Sequence, residues 1–205
     1  MRKIVANTFL SLDGVMQAPG GAGEDPSGGF DLEGWSVNYW DETMGRRVGE
    51  IMGSRFDLLL GRKTYQIFAA HWPRATDEEA AGPLNKATKY VVSNTLDRAD
   101  WGPSQILRGD VVPQIQHLKE QDGPELQVHG SSVLVQTLMK HSLIDQYNLM
   151  IFPVVLGHGK RLFGEGAIPA GWRQTFCSAA SSGVIIATYE PAGPIQLGTF
   201  RLPDE

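Results

Sequence analysis

The sequence predicts an α/β fold built on one mixed sheet, mostly parallel, with antiparallel strands at its C-terminal edge. Three observations predict it. Short apolar runs alternate with amphipathic stretches as far as Tyr147, those runs stop at glycine or small polar residues, and beyond Tyr147 only strand-like segments follow.

Ile4 to Leu12 mixes apolar and β-branched residues and closes at Asp13-Gly14, so it reads as a strand entering a turn. Gly14 to Gly34 holds seven glycines with Pro19 and Pro26, a segment too poor in apolar side chains to pack by itself. It is expected to be a lid, mobile without ligand. Asp41 to Met52 sets Met44, Val48, Ile51 and Met52 on one helical face, with Asp41 and Glu42 at the positive end. Asp57 to Leu60 is a buried-strand run closed by Gly61, and Tyr65, Phe68 and Ala69 follow at helical spacing. Tyr90-Val91-Val92 repeats the strand signature and stops at Ser93-Asn94-Thr95. Gln105 to Leu107 is a further strand, after which Asp110 caps a helix carrying Val111, Ile115 and Leu118. Leu126 to Val128 ends at His129-Gly130-Ser131-Ser132, and Leu134, Val135, Leu138 and Met139 mark another helix. The remaining strands are Asn148 to Leu156, a region around Gln174 to Ala180, Val184 to Tyr189 and a short run Ile195 to Phe200. Neither repeat nor linker divides the chain, so residues 1–205 read as one domain.

Composition narrows the function classes. Eighteen Lys and Arg against 23 Asp and Glu give a net charge of −5, and no basic face forms, which argues against a nucleic-acid partner held by phosphate contacts. Cys177 stands alone, cannot form an internal disulfide, suits a reducing compartment and is expected to be a small buried hydrophobe. Asn7 and Thr8 interrupt the N-terminal apolar stretch before a signal peptide develops, and no window is apolar enough to span a membrane. The expected compartment is the cytoplasm. The histidines show no metal-ligand spacing, so no metal site is expected.

Strand ends followed by helix starts offer free N–H groups and positive dipole ends to anions. Two turns fit. Gly61-Arg62-Lys63-Thr64 joins close approach, a hydroxyl and two cations, and Gly130-Ser131-Ser132 supplies backbone and hydroxyl donors. Together they suggest a ligand with more than one phosphate, although helix capping explains Thr64 or Ser131 alone equally well. The G-x-G-x-x-G, Walker and G-x-S-x-G patterns are absent.

Asn7 to Gly14, Leu60 to Tyr65, Val128 to Ser131 and Pro153 to Phe163 resemble, in order, the dihydrofolate-reductase-like family, and within it the reductase half of the bifunctional riboflavin-biosynthesis deaminase-reductase. The resemblance implies a three-layer α/β/α fold that binds NADPH. Gly61, Arg62, Lys63 and Thr64 inherit contact with cofactor phosphate, Ser93 and Asn94 the neighbourhood of the 2′-phosphate, and Gly130, Ser131 and Ser132 the pyrophosphate turn. The segment Ser11 to Gly14 and the loop behind it inherit the cover over nicotinamide and substrate, which puts Gly14 beside substrate and leaves Asp13 either facing substrate or serving an Asp-Gly turn. Asp41 is the helix candidate for a proton donor, against a reading as helix-terminal charge. Trp35, Tyr39 and Trp40 either stack on a flat heterocycle or pack structurally, and Val154 closes a strand that the family places near ligand.

The expected activity is hydride transfer from NADPH to a pterin, pyrimidine or ribosylaminopyrimidine-like substrate, such as 5-amino-6-(5-phosphoribosylamino)uracil. A nucleotide-binding module without turnover and dihydrofolate reductase itself are the alternatives. The apolar C-terminal strands also permit a homodimer.

Overall fold

The computed structural model describes residues 1–164 and 167–200. Its eight strands form one sheet in the order β4-β3-β2-β5-β1-β6-β8-β7. Ile4–Ser11 (β1), Phe56–Gly61 (β2), Lys89–Val92 (β3), Ser104–Leu107 (β4), Glu125–His129 (β5) and Gln146–Phe152 (β6) pair in parallel. Ile185–Gly193 (β8) pairs antiparallel with β6 and with Gly171–Ala179 (β7), as the strand-only C-terminal sequence implies.

Helices cover both faces. On one face Met44 of Glu42–Met52 (α1) packs with Met150, Phe152 and Ile186. Beside it, Tyr65 of Arg62–His71 (α2) and Leu84 of Glu78–Lys86 (α3) pack on Phe56, Leu58, Leu60 and Val91. On the other face Ile115 and Leu118 of Val111–Glu120 (α4) and Leu134, Val135 and Leu138 of Ser132–Lys140 (α5) meet Ile4, Ala6, Leu59, Leu126 and Val128. The helix after β2 and the helix after β5 thus leave these adjacent strands toward opposite faces. That reversal opens a crevice at their carboxyl ends, where ligands settle in open α/β sheets.

The structure corrects four expectations. The strand expected over residues 148–156 ends at Phe152, because Pro153 has no N–H to give a ladder. Ile195 to Phe200 forms no strand, and Leu197 is 93% exposed. Cys177 lies exposed on β7, an edge strand with one neighbour, and so is not buried. The fourth concerns the glycine-rich segment, which packs: Val15, Ala18 and Phe30 form a small core of their own. Buried Gln17 is its hub, donating to the carbonyls of Asp25 and Ser27 and accepting, at its own carbonyl, from Trp35 Nε1 at 2.7 Å. Glu33 accepts from the N–H groups of Gly23 and Asp25. Gly159 closes over this core so tightly that a Cβ there would lie 2.7 Å from Val15 Cγ1.

The helix α3 lacks a counterpart in the sequence expectations. Gly82-Pro83 reads as a stop signal, yet Asp77 caps the start by accepting from Glu79 and Ala80, and the Ala87 N–H closes the end on Pro83. The signal that marks it is Asp77 followed by acidic residues and alanines.

Candidate active site at the carboxyl ends of the strands

The crevice between β2 and β5 brings the two phosphate-type turns together. Gly61 N–H donates to Ser131 Oγ at 3.0 Å, Ser131 N–H donates to Thr64 Oγ1 at 3.2 Å, and Ser131 Oγ donates to the His129 carbonyl at 3.1 Å. Gly130 and Ser131 carry φ of +54° and +55°, two left-handed residues in succession that turn the chain sharply into α5. A Cβ on Gly130 would stand 3.7 Å from Thr64 Oγ1. Ser131 and Thr64 therefore build the wall, while the first-turn N–H groups of α2 and α5 remain for a ligand. Arg62 is exposed and has no partner among the described residues, and Ser132 at the start of α5 is half-buried.

Lys63 is engaged elsewhere. It pairs with Asp25 of the glycine-rich loop, and Lys160 reaches the same carboxylate at 2.6 Å. Burial opposes ionisation of Asp25, but the hydrogen bonds from Lys160 and Lys63 prevail and hold its pKa below the usual carboxylate range. Through Asp25, with Lys160 beside it, the loop is fastened to Lys63 of the Gly61–Thr64 turn, and the sequence expectations gave neither residue that role. Ser93 is 8% exposed, and its Oγ accepts from Thr95 and Leu96, so it shapes the turn where phosphate contact was expected. Asn94 is exposed; its Oδ1 takes the Gly109 N–H, and its amide N–H groups have no partner among the described residues.

At the end of β1, Asp13 accepts from Ser11 Oγ, from the N–H groups of Leu156 and Gly157, and from Arg161. The Ser11 hydrogen bond is the largest cause that holds its pKa far down. Gly14 adjoins it with φ of +79° and open space where a Cβ would stand. Asp41 is the N-cap of α1: it accepts from Met44 N–H at 3.0 Å and from Ser181 Oγ at 2.8 Å, and the Met44 bond leads the causes that lower its pKa. Asp13 thus clamps the Leu156-Gly157 turn and Asp41 caps α1, and the hydrogen bonds of each favour its ionised form. Trp35 is tied down through its Nε1 and stands edge-on to Phe152, which removes it as a stacking platform. Trp40 is 50% exposed beside Phe9 and can stack. Val154 is half-buried just past β6, and its carbonyl accepts from Leu12 N–H at 2.7 Å.

The sequence profile of the RibD C-terminal domain matches residues 2–186. The chain belongs to that family. The family is that of the riboflavin-biosynthesis-type reductases. Two uncharacterized proteins of Bacillus subtilis strain 168 are similar in sequence: YyaP, 25% identical across 92% of this chain and 94% of its own, and YwjB, 27% identical across 80% and 84%. Among solved structures, a protein of Shewanella sp. PV-4 assigned to riboflavin biosynthesis superposes with a TM-score of 0.66 at 21% identity, covering 92% of this chain and 98% of that one. A dihydrofolate reductase from Enterococcus faecalis, in complex with NADP(H) and RAB-propyl, superposes with a TM-score of 0.58 at 15% identity, covering 93% and 96%. These two likenesses establish the dihydrofolate-reductase-like fold. No helix among the described residues is long and apolar enough to cross a membrane.

Proposed function

We propose that this RibD C-terminal domain protein is an NADPH-dependent reductase of a small heterocyclic substrate of the pterin or aminopyrimidine class, with 5-amino-6-(5-phosphoribosylamino)uracil as the leading candidate. The observation that carries the reading is the pair of turns locked at the β2/β5 crevice with an exposed Arg62 beside them that has no partner among the described residues. Two helix N-termini and an exposed guanidinium suit a dinucleotide carrying one further phosphate.

NADPH, when bound, supplies a hydride to the carbon of a polarised C=N or C=O bond. The chain's own part is position and exclusion of water. The α2 and α5 N-termini hold phosphate, Trp40 offers a flat face, and Asp13 with Arg161 fixes the Leu156-Gly157 turn against the end of β1. With the carboxylates of Asp13 and Asp41 committed to their hydrogen bonds, this reading takes the proton for the heteroatom from solvent. That same commitment favours a second reading, a nucleotide-binding module without turnover.

Spectroscopic titration and turnover decide between them. Binding of NADPH together with loss of nicotinamide absorbance that depends on the candidate uracil supports the reductase; binding without oxidation across pterins, pyrimidines and small carbonyls supports the module. No binding at millimolar NADPH would sink both. Exposed Phe176 and Cys177 on edge strand β7 also suit the homodimer we propose, to be checked by light scattering.

A further inference from the structure

A row of polar side chains crosses the sheet beneath α1. Register aligns Asn7 with His129 on β5 and with Asn148 on β6, and Asn148 with Thr188 on β8, so four adjacent strands contribute to it. The direction of each hydrogen bond follows from the ends. Arg47 has donors only, so the Thr188 hydroxyl accepts from it at 3.0 Å and donates to Asn148 Oδ1 at 2.9 Å. Asn148 Nδ2 then donates to Asn7 Oδ1 at 2.8 Å, and Asn7 Nδ2 donates to Gln127 Oε1 at 3.3 Å. Gln127 is pinned from the other side, because its Nε2 donates to the Ile51 carbonyl at 3.0 Å and to the Glu125 carboxylate at 2.7 Å.

The last member is His129, whose Nε2 lies 3.0 Å from the same Gln127 Oε1 and 3.5 Å from Asn7 Nδ2. Asn7 Nδ2 already donates to Gln127 Oε1, and the shorter contact of the ring is to that acceptor, which assigns the hydrogen to Nε2. Burial pushes the imidazole pKa down to about 4, so the ring is neutral and Nδ1 keeps its lone pair. Nδ1 makes no hydrogen bond among the described residues, the side chain is half-buried, and the Phe68 ring centre stands 6.1 Å away. A network with every other member directed thus ends in an open acceptor, one residue before the Gly130-Ser131 turn.

The helix above supplies no charged competitor. Asp41 is spent on the cap, Glu42 is exposed, and exposed Glu50 pairs with Arg47 at 2.9 Å. We propose that His129 Nδ1 accepts a ring N–H of an uncharged planar lactam, a pyrimidinedione or pterin-type ring lying between α1 and α2, and so determines substrate specificity. The inference rests on the reductase reading for the presence of a heterocycle in this cleft. An uncharged acceptor holds a neutral ring N–H and gives no Coulombic advantage to a protonated ring.

The test is calorimetric titration of the full chain with 5,6-diaminouracil and with its 1,3-dimethyl derivative, which lacks both ring N–H groups. The expected result is roughly tenfold weaker binding of the dimethyl ring to the wild type, the order of one neutral hydrogen bond. His129→Leu should shrink that ratio to under about threefold, and His129→Gln, which keeps an acceptor, should restore most of it. Equal affinities in the wild type, no binding of either ring, or a tenfold ratio that survives in His129→Leu would overturn the proposal. Should His129→Leu not fold, histidine-selective nitrogen NMR of the wild type replaces it: Nδ1 must shift with the parent ring and not with the dimethyl ring. A separate NADPH titration keeps the two readings apart. Ring discrimination without NADPH binding refutes the reductase and leaves the His129 contact standing, whereas NADPH binding without ring discrimination does the reverse.

Discussion

Ser131 and Thr64 hold each other across the β2/β5 crevice: Thr64 Oγ1 accepts from Ser131 N–H at 3.2 Å, while Ser131 Oγ takes the Gly61 N–H at 3.0 Å. One hydroxyl from each turn thus fixes the other turn's backbone. Ser131→Ala leaves the Gly61 N–H unmet and is expected to cost about 1–2 kcal/mol of stability. It should also weaken NADPH by several-fold, since both helix starts lose their setting. Thermal unfolding and a fluorescence titration measure the two effects, and an unchanged midpoint would refute the coupling.

Arg62 differs from Lys63 in being unpaired among the described residues. A free guanidinium suits the extra phosphate that distinguishes NADPH from NADH. Arg62→Ala should therefore weaken NADPH by about tenfold and NADH far less, on the scale of one charge-assisted contact. Equal losses for both cofactors would contradict that role.

The loop at Asp25 links two cations from different parts of the chain, Lys63 and Lys160. Its carboxyl is held below the pKa of the unfolded chain, so the associated stability is full above about pH 4 and disappears as pH falls through the folded value. Asp25→Asn should lose about 1–2 kcal/mol near neutrality, a figure discounted because Lys63 and Lys160 are 50% and 37% exposed, and should unfold less steeply in acid. Since it also releases Lys63 for phosphate, NADPH affinity should rise while stability falls. Parallel losses of both would show that Asp25 does not compete with the ligand.

How much of this was readable beforehand depends on the range of the interaction. Leu58 to Leu60 and Leu126 to Val128 are local apolar runs, and their strands, glycine turns and helices follow from periodicity and turn chemistry alone. The Gly61 and Gly130 turns were legible for the same reason. Asp25 was not, because its meaning lies in Lys63 and Lys160, 38 and 135 residues away in sequence. Nor could local sequence tell that Asp41 would meet Ser181, or that Gln17 would gather a glycine-rich segment around Val15 and Phe30. The polar row from Arg47 to His129 is a matter of strand register, which only the assembled sheet fixes.

The Asp41 cap separates helix support from acid catalysis. Asp41→Asn keeps an oxygen for Met44 N–H and should leave the unfolding midpoint close to that of the wild type, whereas Asp41→Ala should lower it. If Asp41 acts only as a cap, Asp41→Asn retains substrate-dependent NADPH oxidation within a few-fold. A loss of several hundred-fold in kcat with an intact fold would return the residue to the proton-donor role.

Lys89 is fully buried at the start of β3, with its Nζ 2.7 Å from the Asn85 carbonyl and 4.2 Å from the Trp101 ring centre. Burial pushes its pKa down to about 8, partly offset by the nearby charge of Asp57. The charged form is disfavoured here and favoured at Asp25, yet both folded pKa values lie below the unfolded ones, so stability rises with pH in both cases, at the alkaline end for Lys89. The unfolded chain, with an ordinary lysine pKa of about 10.4, binds more protons than the folded one above about pH 8, so unfolding free energy rises with pH between those values. Denaturant titrations at pH 7.5, 8.5 and 9.5 should show an increment on the order of 1 kcal/mol or more per pH unit at the upper end. Lys89→Met, which keeps the length and the contact with Trp101 but has no proton to lose, should abolish the increment. It should also forfeit the Asn85 hydrogen bond, so its stability at low pH reports the balance between an unmet carbonyl and a buried ammonium. A rise that persists undiminished in Lys89→Met would assign the titration to another group.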